Sequence, residues 1–281
     1  MRTTNKKVGK LRSRLPGMVA MAVFQLLMVG SARTGLAQGP EPKTFSSPAE
    51  ACQALNRAVK NEDEHGVDAI LGTGKEVTSS SDEAEDKLEH EQFSQKYEQM
   101  HRLVQEPDGS ATLYIGAENW PFPIPLVSKN GVWHFDSDTG KKEILFRTVG
   151  ENESTAIQVC QEFALAGNAS DAKLASEDPI TQFAERLAQA GLANADGKEP
   201  TLFHGYYFRV VTPNSATETS GGKKTKGVTL VAYPVQYHSS GVMTFVVTKH
   251  GIVFEKDLGP GTATVAPQLR SRAGSKWQPA A

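Results

Sequence analysis

The sequence predicts an α+β fold made of two small domains, each with a helix packed on an antiparallel sheet, and the second ending in a β-meander. Helix-like segments precede strand-like segments twice along the chain, and this order is typical of α+β architecture. Residues 227–259 carry three strand signals with turns between them, which indicates a meander. The length of 281 residues exceeds the usual size of one domain and therefore favours two.

The first 37 residues are predicted to be a signal peptide. A basic segment precedes the apolar run at residues 18–29, and small residues end at Ala37, where cleavage is expected. The apolar run is shorter than the roughly 20 residues of a membrane-spanning helix, so no membrane span is expected after cleavage. These features predict a protein secreted across the inner membrane and located in the periplasm.

The charge of the chain argues against one class of partner. Removal of the signal peptide takes away seven basic residues and no acid, which shifts the formal net charge from −2 to −9. A surface for nucleic acid needs clustered Lys and Arg to neutralise phosphates. No nucleic-acid partner is therefore expected.

The first domain, residues 38–148, is expected to open with a capped helix. One of the two serines Ser46 and Ser47 can cap the helix, Pro48 suits the first turn, and Glu50 favours the positive end of the helix dipole. Asn130-Gly131, between strand-like runs, is a strong hairpin signal. The other elements expected here are helices at residues 64–71 and 79–103, and strands at residues 111–115, 126–127 and 132–136.

The second domain, residues 149–281, is expected to place helices before its sheet. The helices are predicted at residues 152–166 and 180–190, and the first strand at residues 202–211. The meander strands alternate apolar and polar residues around a polar corner at residues 238–241 and a tight turn at Gly251.

Several ordered motifs resemble a secreted bacterial family called domain of unknown function 2950. These motifs are Phe45-Ser-Ser-Pro-Ala-Glu50, Trp120-Pro-Phe-Pro-Ile-Pro-Leu126, Trp133-His-Phe-Asp136, Gly140-Lys-Lys-Glu-Ile144, Ala156-Ile-Gln-Val-Cys160, His204-Gly-Tyr-Tyr-Phe-Arg209, Ser240-Gly-Val-Met-Thr-Phe245 and Glu255-Lys-Asp-Leu-Gly259. The resemblance implies a secreted protein, with no established activity to carry over. In architecture, the first half resembles nuclear-transport-factor-like cone folds and the second half resembles the globular core of pilin-like proteins.

The two cysteines leave two interpretations open. Cys52 and Cys160 lie in helix-like segments of different predicted domains. They could pair in an oxidising compartment, or they could be two small buried thiols. Sequence alone does not bring their Cα atoms within bonding distance.

The catalytic candidates are His134 and Asp136. At the two-residue period of a strand their side chains point to the same side, and a carboxylate beside a histidine can tune a general base. The alternative is a polar stripe opposite buried Trp133 and Phe135. No metal site and no cofactor is predicted, because the zinc-protease pattern that begins at His90 fails at Ser94.

Two groups of residues are binding candidates. Trp120 and Phe122 belong to a proline-stiffened loop that could be a recognition ridge or a structural clamp between the domains. His204, Tyr206 and Arg209 could be ligand contacts, or one polar face of a strand.

These observations favour a non-catalytic binding or interaction module of the cell envelope. Its partner would be another envelope protein or a surface polymer. The alternative is a small-ligand-binding protein or an enzyme that uses a pocket in the first domain, where cone-like folds enclose ligands.

Overall fold

The structure is a computed structural model that describes residues 42–72, 83–166, 178–193, 199–211, 219–220, 223–224, 228–248, 251–269 and 276–280. The predicted signal peptide lies outside the described residues. The described helices are α1 (Pro48–Lys60), α2 (Glu64–Leu71), α3 (Glu83–Gln99), α4 (Ser137–Ala166), α5 (Pro179–Ala193) and α6 (Thr262–Val265). The described strands are β1 (His101–Gln105), β2 (Ala111–Ile115), β3 (Trp120–Pro121), β4 (Leu126–Lys129), β5 (Val132–Phe135), β6 (Thr201–Phe203), β7 (Tyr206–Val210), β8 (Thr219–Ser220), β9 (Lys223–Lys224), β10 (Val228–Pro234), β11 (Met243–Thr248), β12 (Val253–Asp257) and β13 (Gln278–Pro279). Helices combined with antiparallel sheets confirm the α+β class.

Helix α1 begins where the sequence predicts. The Ser47 hydroxyl accepts the Glu50 N–H at 3.2 Å, and the Glu50 carboxylate accepts the Ser46 N–H at 2.9 Å. These bonds satisfy backbone donors that a helix start leaves without a partner. The helix buries one face, which includes Ala51 and Leu55, in the first core.

The first sheet has the order β1-β2-β4-β5, with β3 also paired to β2. The predicted hairpin at Asn130-Gly131 is confirmed, because both residues have positive φ, 55° and 81°, between β4 and β5. The helix predicted at residues 79–103 is wrong at its end. It stops at Gln99, because the next residues pair along their whole length with β2, and residues 79–82 lie outside the described residues.

The second sheet has the order β13-β12-β11-β10-β7-β6, which confirms the meander. Gly251 has φ of 75° and its N–H donates to the Thr248 carbonyl at 2.8 Å, as a tight hairpin requires. The strand predicted at residues 202–211 is two strands, because His204 and Gly205 form a turn with positive φ, 41° and 69°. Strand β13 has no counterpart among the predicted elements.

The helix predicted at residues 152–166 is half of a longer one. Helix α4 begins at Ser137 and has 30 residues, because Asp136 caps its first turn. The Asp136 carboxylate accepts the Thr139 N–H at 3.2 Å and the Thr139 hydroxyl at 2.7 Å. The predicted domain boundary at residue 148 falls inside α4, and the division into two domains stays a prediction.

Three hydrophobic clusters form the interior. The first lies between helices α1 to α3 and the first sheet and includes Ile144 of α4; the second lies between α4, α5 and the second sheet and includes Val159. The third lies on the opposite face of the second sheet. Cys52 is buried in the first cluster and Cys160 in the second, and both are free thiols. Burial raises the pKa of Cys52 to about 12 and also raises the pKa of Cys160.

Candidate binding site on the second sheet

The second sheet has two faces that the chain uses differently. Successive side chains of a strand point to opposite faces. In β7, Tyr206 and Phe208 are buried in the cluster under the helices, whereas Tyr207 and Arg209 point to the other face. The sequence-predicted group is therefore divided between an interior and an outward face.

The outward face is partly covered by the last part of the chain. Ala266 belongs to the third hydrophobic cluster together with Val231 and Val246. The Arg209 guanidinium donates to the Leu269 carbonyl at 2.8 Å. Arg209 thus has a structural contact that fastens this segment to β7.

A row of side chains crosses the strands on this face. We call it the outer row; its members are Tyr207, Tyr233, Thr244, Lys256 and Trp277. Tyr207 lies opposite Tyr233, and Thr244 lies opposite Lys256. Ala232 lies opposite Phe245, so the antiparallel register places Thr244 beside Tyr233 on the neighbouring strand.

A ring contact lies at each end of the outer row. The Tyr207 and Tyr233 ring centroids are 5.6 Å apart. At the other end, Lys256 Nζ lies 6.0 Å from the Trp277 ring centroid, within the range of a cation–π contact. Burial raises the pKa of Tyr233, and nearby Arg209 partly offsets this rise, so the Tyr233 hydroxyl is neutral and can donate a hydrogen bond at neutral pH.

Two polar atoms in the outer row are buried without a partner. The Thr244 side chain is 0% exposed, and neither its Oγ1 nor Trp277 Nε1 has a hydrogen-bond partner among the described residues. Buried polar groups are paired in the great majority of cases, and exceptions need an explanation. Both atoms can donate hydrogen bonds, but neither has exposed surface in this conformation.

The outward positions of β7, β10, β11 and β12 include Arg209 and Lys256 and, in the part of the chain that the structure describes, neither Asp nor Glu. The outward face is therefore locally basic although the chain as a whole is acidic. Such a face can bind an anionic group.

The family model described as Protein of unknown function (DUF2950) matches residues 42–199 and 175–279. This chain belongs to the DUF2950 family. No curated protein and no solved structure matches the chain, so the likenesses of its halves to cone folds and pilin-like cores stay predictions. In the described part of the DUF2950 protein, no helix combines the length and apolar character needed to cross a membrane.

Tyr206 and His204 have different surroundings in the DUF2950 protein. The Tyr206 hydroxyl donates to the Met243 carbonyl at 2.9 Å, and burial raises the pKa of this side chain. His204 lies in the turn before β7, and its ring meets the Phe203 ring edge-on at 4.4 Å. Neither side chain reaches the outer row, since Tyr206 lies on the opposite face of the sheet.

Trp120 and Phe122 pack against the first core. The Phe122 ring contacts the rings of Phe93 at 5.7 Å and Phe135 at 6.0 Å. Arg147 of α4 lies over the Trp120 ring at 5.2 Å and donates to the Pro121 carbonyl at 2.8 Å. These contacts all lie within the predicted first domain, so the clamp between the domains and the recognition ridge both stay predictions.

His134 and Asp136 have different surroundings, and a catalytic role for them stays a prediction. His134 lies opposite Val127 on β5, whereas Asp136 follows the strand, and its carboxylate is bonded to Thr139. A cleft of about 410 Å³ does lie in the first half of the DUF2950 protein, but other residues line it: Val59, Lys60, Glu62, Glu64, Lys87, His90, Glu91, Ser94 and Gln95. Among the described residues, no group of three His, Cys, Asp or Glu side chains is placed to hold a metal ion.

Sequence reasoning missed Thr244, Lys256 and Trp277 as a group. They lie on β11, on β12 and just before β13, so only the fold brings them together. One signal was present: Thr244 interrupts an otherwise apolar run at residues 242–247.

Proposed function

We propose that this DUF2950 protein is a secreted, non-catalytic binding module of the cell envelope, and that its ligand contacts the outer row. The proposal depends on one observation above the others. Thr244 Oγ1 and Trp277 Nε1 are buried next to Lys256 without a hydrogen-bond partner among the described residues. An unpaired buried polar group costs about 1–3 kcal/mol. Both atoms lack exposed surface, so a ligand that pairs them must first displace part of the segment that covers this face.

The chemistry of the outer row supports binding rather than turnover. Trp277 Nε1 is only a donor, the Lys256 ammonium is only a donor, and the neutral Tyr233 phenol is a weak acid. A general base or an activated nucleophile needs a partner that accepts its proton. Among the described residues, the outward strand positions near Lys256 carry no carboxylate for that purpose.

The experiment compares ligand capture by matched variants. The chain from Gln38 is immobilised and exposed to envelope extract as the wild type, as Lys256→Met, as Trp277→Phe and as Lys129→Met. Lys129 is an exposed cation at the hairpin of the first sheet, so its variant removes the same charge elsewhere. A component that binds the wild type and Lys129→Met, but neither outer-row variant, supports the proposal; equal capture by all four proteins contradicts it.

Secretion rests on the basic and apolar segments within residues 1–37. In cells, the mature protein should begin at Gln38 and be released with the periplasmic fraction. Mass spectrometry of the intact protein measures the cleavage site. A cytosolic protein that retains Met1 would contradict this part of the proposal.

A small-ligand role in the first half is a second candidate, favoured by the charged cleft between α3 and the α1–α2 pair. Lys87 lies 3.9 Å from Glu62 across it, so a zwitterionic ligand would meet both signs of charge. A metabolite whose binding is lost in Glu62→Gln and retained in Lys256→Met would support this candidate. Binding that survives Glu62→Gln would remove it.

A further inference from the structure

The first sheet ends at strand β1. Among the described strands, β1 pairs only with β2 and is the outermost strand of the sheet. Hydrogen bonds in an antiparallel pair alternate, so every second residue of an outermost strand turns its backbone N–H and C=O away from the partner strand. An extended segment can pair with such groups and add a strand to the sheet.

The hydrogen bonds at both ends of β1 identify these outward groups. The Met100 carbonyl accepts the Gly116 N–H at 3.0 Å, and the Glu106 N–H donates to the Ser110 carbonyl at 2.9 Å. The even-numbered residues from 100 to 106 therefore face β2. No described residue bonds to the backbone of the odd-numbered residues, which are His101, Leu103 and Gln105.

Beside this open edge lies a cation that is held in place. Arg102 Nε donates to Asn119 Oδ1 at 2.9 Å, and the Arg102 guanidinium carbon lies 4.5 Å from the Tyr114 ring centroid. Arg102 is exposed, and no described residue accepts a hydrogen bond from its two terminal nitrogens. These nitrogens form the fork that binds a carboxylate through two parallel hydrogen bonds.

The outward face of this hairpin carries no acidic side chain. Leu113 of β2 is buried in the first core, so the strand alternation places Thr112 and Tyr114 on the outward face. Their partners on β1 are Val104 and Arg102. Arg102 is thus the one charged side chain at these four described positions.

Charge complementarity favours an acidic partner strand. Opposite charges on directly opposed strand residues stabilise the pair, and like charges destabilise it. An acidic side chain opposite Arg102 on an added strand can therefore bind the guanidinium, and an apolar side chain two residues further along lies beside Val104. Two copies of this chain joined through β1 would instead bring two Arg102 side chains to one face without an acid between them.

We infer that β1 binds an extended acidic segment of another protein as an additional strand of the first sheet. The segment pairs its main chain with the backbone of His101, Leu103 and Gln105, and one of its carboxylates binds Arg102. This surface is separate from the outer row of the second sheet, so the inference goes beyond the proposed function and does not depend on it.

The test uses the chain from Gln38 as the protein and an acetylated, amidated peptide of sequence Thr-Val-Thr-Glu-Thr-Val-Thr as the probe. Two comparison peptides carry glutamine or lysine in place of the glutamate. By NMR titration, we expect the glutamate peptide to bind at least fivefold more tightly than the glutamine peptide, and the lysine peptide to bind most weakly. Raising salt should reduce this preference, because ions screen charges over distances of about 10 Å at 0.1 M.

Hydrogen exchange locates the added strand. At saturating glutamate peptide, the amide exchange of His101, Leu103 and Gln105 should slow more than that of Arg102 and Val104, whose N–H groups already face β2. Uniform slowing along β1 would mean that the peptide stabilises the protein without pairing with this edge, and would overturn the inference.

Three variants assign the interaction to β1. Gln105→Pro removes an edge N–H, which a strand tolerates where that group faces solvent, and should weaken binding at least tenfold. Arg102→Met should reduce the affinity for the glutamate peptide to that for the glutamine peptide. Lys129→Met removes an exposed cation at the other hairpin of the sheet and should leave the affinity unchanged. The melting temperature of each variant is measured alongside; if Gln105→Pro does not fold, the exchange pattern and Arg102→Met decide.

Each contrary outcome overturns a defined part of the inference. Equal affinity of the glutamate and lysine peptides overturns the acidic partner. Binding that persists in folded Gln105→Pro overturns strand addition. A wild-type dimer that Gln105→Pro dissociates assigns the edge to a second copy. Binding of no peptide overturns the inference and leaves Arg102 as a charge that protects an open edge from pairing, while the capture experiment with the outer-row variants decides the proposed function independently.

Discussion

The Glu153 carboxylate of α4 accepts the backbone N–H of Val242 at 2.8 Å, across 89 positions of sequence. The same oxygen accepts the Met243 N–H at 3.0 Å. Two donors at the start of β11 are thereby satisfied by one side chain of the helix beneath. This contact determines how the polar corner before β11 is attached to α4.

Removing the Glu153 carboxylate should loosen the corner. Hydrogen bonds to charged groups contribute about 1.5–3 kcal/mol, so Glu153→Ala is expected to lower the free energy of unfolding by about that much. Glu153→Gln keeps an acceptor oxygen and should cost less. Urea denaturation measures both values, and an alanine variant as stable as wild type would show that solvent replaces the carboxylate.

Thr244→Val should stabilise the protein by up to about 1 kcal/mol, because a buried hydroxyl without a described partner is replaced by a methyl group of the same shape. Thr262 provides the matched control. It is also buried, and its hydroxyl donates to the Gly259 carbonyl at 2.6 Å. Thr262→Val should therefore destabilise by about 1 kcal/mol. If calorimetry shows both variants to be equally destabilised, Thr244 has a partner after all.

Replacing Gly150 and Gly241 by alanine should change the stability of the protein in opposite directions. Gly150 lies inside α4, and an added Cβ would meet nothing within 4 Å, so Gly150→Ala should stabilise by about 0.5–1 kcal/mol. At Gly241, an added Cβ would lie 2.6 Å from Tyr206 Cζ. Overpacking of this kind costs about 1–3 kcal/mol. Thermal denaturation distinguishes the two, and a stabilised Gly241→Ala would mean that Tyr206 can move.

Glu255 should make stability depend on pH. Burial raises the pKa of Glu255 and nearby Glu153 raises it further, so the folded state holds this proton more tightly than the unfolded state. Stability therefore falls as pH rises above the unfolded pKa, near 4.5. Glu255→Gln should be more stable than wild type at pH 7, by less than about 1 kcal/mol because the group is partly exposed, and equal to it below about pH 4.

Glu50 is the control for Glu255, because its pKa is shifted in the opposite direction. Hydrogen bonds from Ser46 lower the pKa of Glu50, so its contribution is present above the unfolded pKa and is lost as pH falls through the folded one. Glu50→Gln should be less stable than wild type at pH 7, and the difference should vanish in acid. If the stability of both variants relative to wild type changed with pH in the same direction, both assigned pKa shifts would be contradicted.

The elements that were predicted correctly are those whose signals are local. Ser47 and Glu50 cap α1 within three residues of each other, Asn130-Gly131 turns one hairpin, and Gly251 turns another. The α4 start was missed because Ser137 to Lys142 contains a glycine and mostly polar residues. Its helix depends on the Asp136 cap and on the close contact of Gly140 with Ile124, whose Cγ1 would lie 2.6 Å from an added Cβ.

The candidate site could not be predicted in the same way. Tyr207, Thr244 and Trp277 are far apart in sequence, and only the strand order brings them to one row. Arg209 was identified from its motif, but Tyr206 in the same motif faces the interior. The two-residue period of a strand predicts that Tyr206 and Arg209 point to opposite faces of the sheet. It does not predict which of the two faces a ligand contacts.

Helix α4 also has a mechanical consequence. Its backbone is helical without interruption from Ser137 to Ala166, about 45 Å at 1.5 Å per residue, and it supplies Ile144 to one core and Val159 to the other. The two cores are therefore connected by a continuous helix and not by a flexible linker. Tension applied to the second sheet would reach the first core through hydrogen-bonded helix turns, and the halves could not separate without unwinding them.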